Sequence, residues 1–135
     1  MRLPSAIAIL LAAFLLMPAL SFAQNTSSLA QSQVVAGKPK NGNIITSQNG
    51  KFQLSTKVND NDIFGVVSLS SAISLETANI PGSYPLVSSG TTEVLVTNTG
   101  GNIKKGDPIT SSTIPGVGER ESSNGFILGI ALEDY

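Results

Sequence analysis

The chain has no cysteine, no histidine and no tryptophan. Without cysteine there is no disulfide, no thiol nucleophile and no lipid-modified cysteine. Without histidine the usual zinc sites and a Ser-His-Asp relay are closed. Any chemistry would rest on Asp, Glu, Lys, Ser, Thr, Tyr or the backbone. Charge is scarce too: 13% of residues are Asp, Glu, Lys or Arg, against about a quarter in ordinary globular proteins. The formal net charge is -1, so no basic field exists to hold nucleic acid or an anionic membrane. Aromatic residues are too few to predict a sugar-stacking platform. Phe52, Phe64 and Phe126 fall in predicted strands and are expected in the core.

What is present is turn chemistry and short apolar runs. Thirteen glycines and seven prolines in 135 residues predict many turns. The longest apolar run is at the start. Arg2 and the free amine make a positive n-region, Ala6–Leu16 is an apolar core broken by Pro18, and Ser21-Phe22-Ala23 offers small residues before a cut. This pattern predicts a signal peptide over 1–23. The other reading, an uncleaved anchor, needs a longer uninterrupted run to cross the bilayer. Removing Arg2 with the signal leaves seven basic residues against nine acidic. Gln24–Ser32 is polar and aperiodic and is expected to be a flexible leader. Within it Asn25-Thr26-Ser27 matches a glycosylation acceptor, meaningful only in a eukaryotic secretory route.

From Gln33 to Tyr135 the text is that of a β-domain. Asn49-Gly50 predicts a tight turn between strands at Ile44–Ser47 and Phe52–Val58. In the second of these, Phe52, Leu54, Thr56 and Val58 alternate with Lys51, Gln53, Ser55 and Lys57, one face in and one face out. Asn59–Asp62 reads as a turn. Ile63–Val67 is apolar on both faces, as a central strand requires. Ser68–Ser83 is the least readable part; Ile73 and Leu75 suggest an edge strand, with a single helical turn as the alternative. Pro85–Ser88 and Thr91–Thr97 are expected to form a second hairpin around Ser89-Gly90. Lys104–Asp107, Pro115-Gly116 and Asn124-Gly125 are turns, and Phe126–Leu132 is the most apolar segment beyond the signal.

The domain contains an echo of itself. Gly42-Asn43-Ile44 and Ile63-Phe64-Gly65-Val66-Val67 open and close one part. Gly101-Asn102-Ile103 and Ile127-Leu128-Gly129-Ile130-Ala131 do so in another, over glycine-to-glycine spans of 23 and 28 residues. Glycine inside an apolar strand marks a bulge, a bend or a close backbone crossing. Two such units could interlock about a pseudo-twofold axis.

The order Gly42–Ile45, Phe64–Ser68, Tyr84–Gly90, Asn102–Gly118 and Leu128–Glu133 resembles an uncharacterised family of exported bacterial β-domains. It is also similar to a domain near the C-terminus of some phage tail and neck-appendage proteins. There a glycine-aspartate, two hydrophobic residues and threonine-serine precede a proline-glycine. The match at Lys104–Gly118 is the most specific. The phage versions are associated with autoproteolytic maturation. Ile130 stands where that family usually has lysine. The resemblance therefore implies a fold and an exported location here, and no protease site.

Each polar constellation has a functional and a plain reading. Asp60 and Asp62, with Asn59 and Asn61, offer oxygen ligands for calcium, but the full loop and its distal glutamate are absent. They read better as a solvated turn. Lys104, Lys105 and Asp107 beside Gly106 could hold an anion in a backbone nest, or form a charged turn. Gly116-Val117-Gly118 is too short for a nucleotide loop. Thr110–Thr113 and Ser88-Ser89 are hydroxyls without an identified base. Thus no catalytic, cofactor-binding or metal residue is assigned, and no cofactor is expected.

The expected protein is all-β: a small barrel-like or clip-like domain of short strands, large enough to bury about two-thirds of its unfolded surface. Its expected role is a non-catalytic structural or interaction module of the cell envelope or a secreted surface assembly. Protein partners or self-association through strand edges fit that role, since few charges blunt the edges. The alternatives are an autoproteolytic domain and a module binding envelope polysaccharide in a groove lined by Asn, Thr and Tyr.

Overall fold

A computed structural model describes residues 28–70, 73–75 and 80–135. The expected signal peptide lies outside them. The described chain forms nine short strands: β1 (Leu29–Val34), β2 (Ile44–Gln48), β3 (Lys51–Leu54), β4 (Ile63–Val67), β5 (Ile73–Leu75), β6 (Ser83–Ser89), β7 (Pro108–Ser111), β8 (Gly118–Arg120) and β9 (Gly129–Ile130). Six make a sheet in the order β3-β2-β4-β6-β1-β5, and three make a second sheet in the order β8-β7-β9. All neighbours are antiparallel except β1 and β5. The protein is all-β, with no helix among the described residues. Neither sheet closes into a barrel, because β3 and β5 remain edges of the larger one.

Local chemistry explains the elements. Asn49 (φ 51°) and Gly50 (φ 73°) both take positive φ, which matches the twist of the β2–β3 hairpin. Ile45 pairs with Leu54 and Ser47 with Phe52. Directly paired residues share a face. Ala30, Val87, Val66 and Ile44 are successive partners across four strands, and all four are buried. On the opposite face Val35, Ile45, Val67 and Leu86 form a core cluster, covered by Phe52, Leu54, Phe64 and Tyr84. Phe52 and Phe64 meet edge to face, centroids 4.9 Å apart. The central strands are thus buried on both sides, which is why Ile63–Val67 carries no polar alternation.

Three expectations move. Leu29–Ser32, expected at the end of the leader, is the first part of β1. The strand is hard to read because Leu29, Gln31 and Val34 are exposed while only Ala30 is fully buried. β3 ends at Leu54, since the next carbonyl, on Ser55, accepts the N–H of Gly116 at 2.7 Å. Thr91–Thr97 does not pair with β6, whose two edges are already taken by β4 and β1. It crosses to the smaller sheet instead, where Val96 bridges Gly118 in parallel.

The echo in the sequence is an architectural repeat with a different register. Ile45 pairs with Gly65 and Ile44 with Val66; Ile109 pairs with Gly129 and Pro108 with Ile130. Gly42 N–H donates to Val67 O, as Gly106 N–H does to Ala131 O, each at 2.8 Å. Val67 N–H returns a bond to Asn43 O, as Ala131 N–H does to Asp107 O, each at 2.9 Å. Both central strands carry a hairpin partner on the other side, β3 or β8. Both return strands are flanked in parallel by an earlier segment, Val35 on Phe52 and Val96 on Gly118. So the counterpart of Gly42 is Gly106, not Gly101. Gly101 sits elsewhere, against the Arg120 side chain. The units are joined by Ile44 N–H donating to Gly116 O at 2.9 Å. The counterpart of Ile44 is Pro108, which has no N–H, so this contact has no symmetric mate.

Candidate interaction site

The repeat exposes one difference between its halves. In the first unit β4 is covered by β6, with Val66 opposite Val87 and Val67 opposite Leu86. In the second unit β9 is an edge, with β7 on one side and no strand on the other among the described residues. The residues around it are as apolar as those of β4 but are left in solvent. Phe126 is 42% exposed, Ile127 47%, Ile130 56% and Leu132 61%. Phe126 therefore lies outside the core in which the sequence placed it. From Ser122 to Leu132 no residue is charged, so nothing on this segment blunts the edge.

A half-open groove of about 1040 Å³ runs beside this edge. Phe64, Val66 and Val87 of the larger sheet contribute to its lining, as do Ile109 of the smaller sheet and Ile103 and Leu128 from the segments that flank it. Asn41, Thr92, Glu93 and Tyr135 also line it. The groove has polar residues of the kind a polysaccharide site would use, but much of its lining is aliphatic.

Two glycines at equivalent places show what the edge accommodates. A Cβ on Gly65 would stand 2.5 Å from Val87 O and 3.0 Å from Val87 C. Glycine there is what lets the backbone of β6 cross β4. A Cβ on Gly129 would meet nothing within 4 Å. The second unit thus has the same gap in its side-chain row and, among the described residues, no backbone filling it.

The polar constellations are occupied by the fold itself. Asp60 is 3% exposed. Its carboxylate accepts from Ser55 Oγ at 3.3 Å and from Asp62 N–H at 3.0 Å, while its own N–H donates to Ser111 Oγ at 2.9 Å. It closes the Asn59–Asp62 turn and ties it to β7. Among the described residues no three carboxylates converge on one point. At the Lys104–Asp107 turn, Lys104 N–H donates to Asp107 Oδ2 at 2.9 Å and Lys105 N–H to Asp134 Oδ1 at 2.7 Å. Thr110 Oγ1 donates to Phe126 O and Ser112 Oγ to Val117 O, each at 2.7 Å. Gly116-Val117-Gly118 is the hairpin tip that docks on Ile44 and Ser55. Ser88 and Ser89 lie exposed on the groove.

One polar cluster was not legible beforehand. Ser123 Oγ donates to Glu121 Oε1 at 2.8 Å and accepts from Asn59 Nδ2 at 3.1 Å. Glu121 Oε2 and Asn59 Oδ1 are buried without a partner among the described residues. Glu121 and Ser123 are close in sequence, but Asn59 arrives from the first unit, a pairing no local pattern signals.

Compared with protein-family models, curated proteins and solved structures, the chain matches none. Among the described residues no helix is long and apolar enough to cross a membrane.

Proposed function

We propose that this chain is an exported, non-catalytic structural or interaction module of the cell envelope or of a secreted surface assembly. The observation that carries this reading is the apolar edge at Phe126–Leu132, exposed beside a groove and without a charged residue from Ser122 to Leu132. A contiguous exposed apolar surface marks a place where another surface docks. The signal-peptide pattern at Met1–Ala23 and the resemblance to exported β-domains support the export part of this reading. The test is intact mass and light scattering on the chain exported from a bacterial host. A single mass for Gln24–Tyr135 in a defined assembly is the expected result. Two masses summing to that chain would overturn the non-catalytic reading.

The Ser123–Glu121 contact favours a second reading, an autoproteolytic domain. A carboxylate bonded to a hydroxyl is the minimum of an activated nucleophile. That reading requires an internal cut, lost in Ser123→Ala and in Glu121→Gln. The intact-mass measurement separates the two.

A further inference from the structure

We infer that β9 pairs edge to edge with β9 of a second copy of this chain, antiparallel and centred near Gly129. The inference rests on the interaction-module reading and names the partner. Its first support is the internal repeat. In the first unit the strand equivalent to β9 is covered by an antiparallel strand, and Gly65 is the residue that the covering backbone crosses. The second unit keeps the glycine, at Gly129, with open space where the backbone would lie. A free strand edge with an uncovered glycine accepts another backbone closely.

The second support is self-complementarity. Take an antiparallel pairing with Gly129 opposite Gly129 of the other copy. Phe126 then stands opposite Leu132, and Leu128 opposite Ile130. Asp134 is turned away from this edge, its carboxylate accepting the Lys105 N–H at 2.7 Å. Opposed apolar pairs stabilise such a ladder, and like charges directly opposite would oppose it. Because the same patch serves both partners, the contact closes as a twofold dimer and leaves no further β9 edge to propagate from.

The test is sedimentation equilibrium on the exported chain, with the intact mass of each sample taken alongside. The variants are Gly129→Val, which fills the crossing point, and Ile130→Lys, which places a charge on the edge. Ile114→Ser, an exposed apolar residue in the turn between β7 and β8, is the control. The wild type and the control should dimerise with the same constant. Gly129→Val and Ile130→Lys should each weaken the dimer about tenfold or more, with thermal melting unchanged in samples dilute enough to be monomeric. An intact wild type that stays monomeric overturns the inference and leaves the module reading standing, as does a dimer indifferent to both variants. Cleaved wild type overturns the module reading instead. Should either variant melt early, amide exchange of wild-type Gly129 and Ile130 at low and high protein concentration decides. Equal exchange rates overturn the inference.

Discussion

Gly65 lies directly under the backbone of Val87, so close that a single methyl group would stand 2.5 Å from the Val87 carbonyl oxygen. Its counterpart Gly129 carries the same partner relationship, to Ile109 in place of Ile45, without the crossing strand. This pair predicts unequal responses to one substitution. Gly65→Ala should destabilise the domain by about 2 kcal/mol or more, as overpacking against fixed backbone does. Gly129→Ala should change stability by less than about 0.5 kcal/mol, the range of ordinary surface substitutions. Urea denaturation of both variants, made dilute enough to be monomeric, checks the difference.

Gly116 is the joint between the sheets. It has φ 70°, and a Cβ there would stand 2.7 Å from Leu54 Cδ2 and 2.8 Å from Asn43 Nδ2. Its N–H and carbonyl both bond across to the first unit. Gly116→Ala combines left-handed strain of about 1 kcal/mol with a steric clash. The expected loss is about 2 kcal/mol or more, with the β7–β8 amides exchanging faster than those of β2 and β4. A neutral Gly116→Ala would mean that the joint is not built this way.

Asp60 is a structural carboxylate. Asp60→Ala leaves Ser55 Oγ and Asp62 N–H without their partner, at a cost of about 1–3 kcal/mol. Millimolar calcium should leave the melting temperature of the wild type unchanged, since ligand binding to the folded state alone would raise it. A calcium-dependent rise, abolished in Asp60→Ala, would restore the metal reading of this turn.

Leu86 is fully buried in the core cluster between Val35, Ile45 and Val67. Leu86→Ala should cost about 2–5 kcal/mol through lost burial and a residual cavity. Leu132→Ala should cost little, because Leu132 is 61% exposed. Thermal melts of the two variants, dilute enough to be monomeric, check the contrast.

Much of the fold was legible where one local rule sufficed. Asn49-Gly50 named its hairpin because only a positive-φ pair fits that turn, and Ile63–Val67 named a central strand through its unbroken apolar run. The edge strand at Ile73–Leu75 was legible from alternation. The misplaced parts depend on distant chain. Thr91–Thr97 has good hairpin chemistry beside Gly90, but β1 and β4 had already taken both edges of β6. Phe126 has the apolar context of a core residue, and only the sheet order shows that no strand covers it. The repeat was visible at its closing glycines. Its opening was misaligned because Gly101-Asn102-Ile103 matches Gly42-Asn43-Ile44 in letters, while hydrogen bonding equates Gly42 with Gly106. The open edge at Gly129 could not be read from sequence at all, since it exists only by comparison with Gly65 under β6.

The most direct measurement is amide hydrogen exchange across Phe126–Leu132 of the intact exported chain, taken over a wide range of protein concentration. If β9 is where the chain meets its partner copy, protection at Gly129 and Ile130 rises with concentration, and the same amides in Gly129→Val stay fast throughout. Exchange at these amides that is independent of concentration in the wild type would contradict the account.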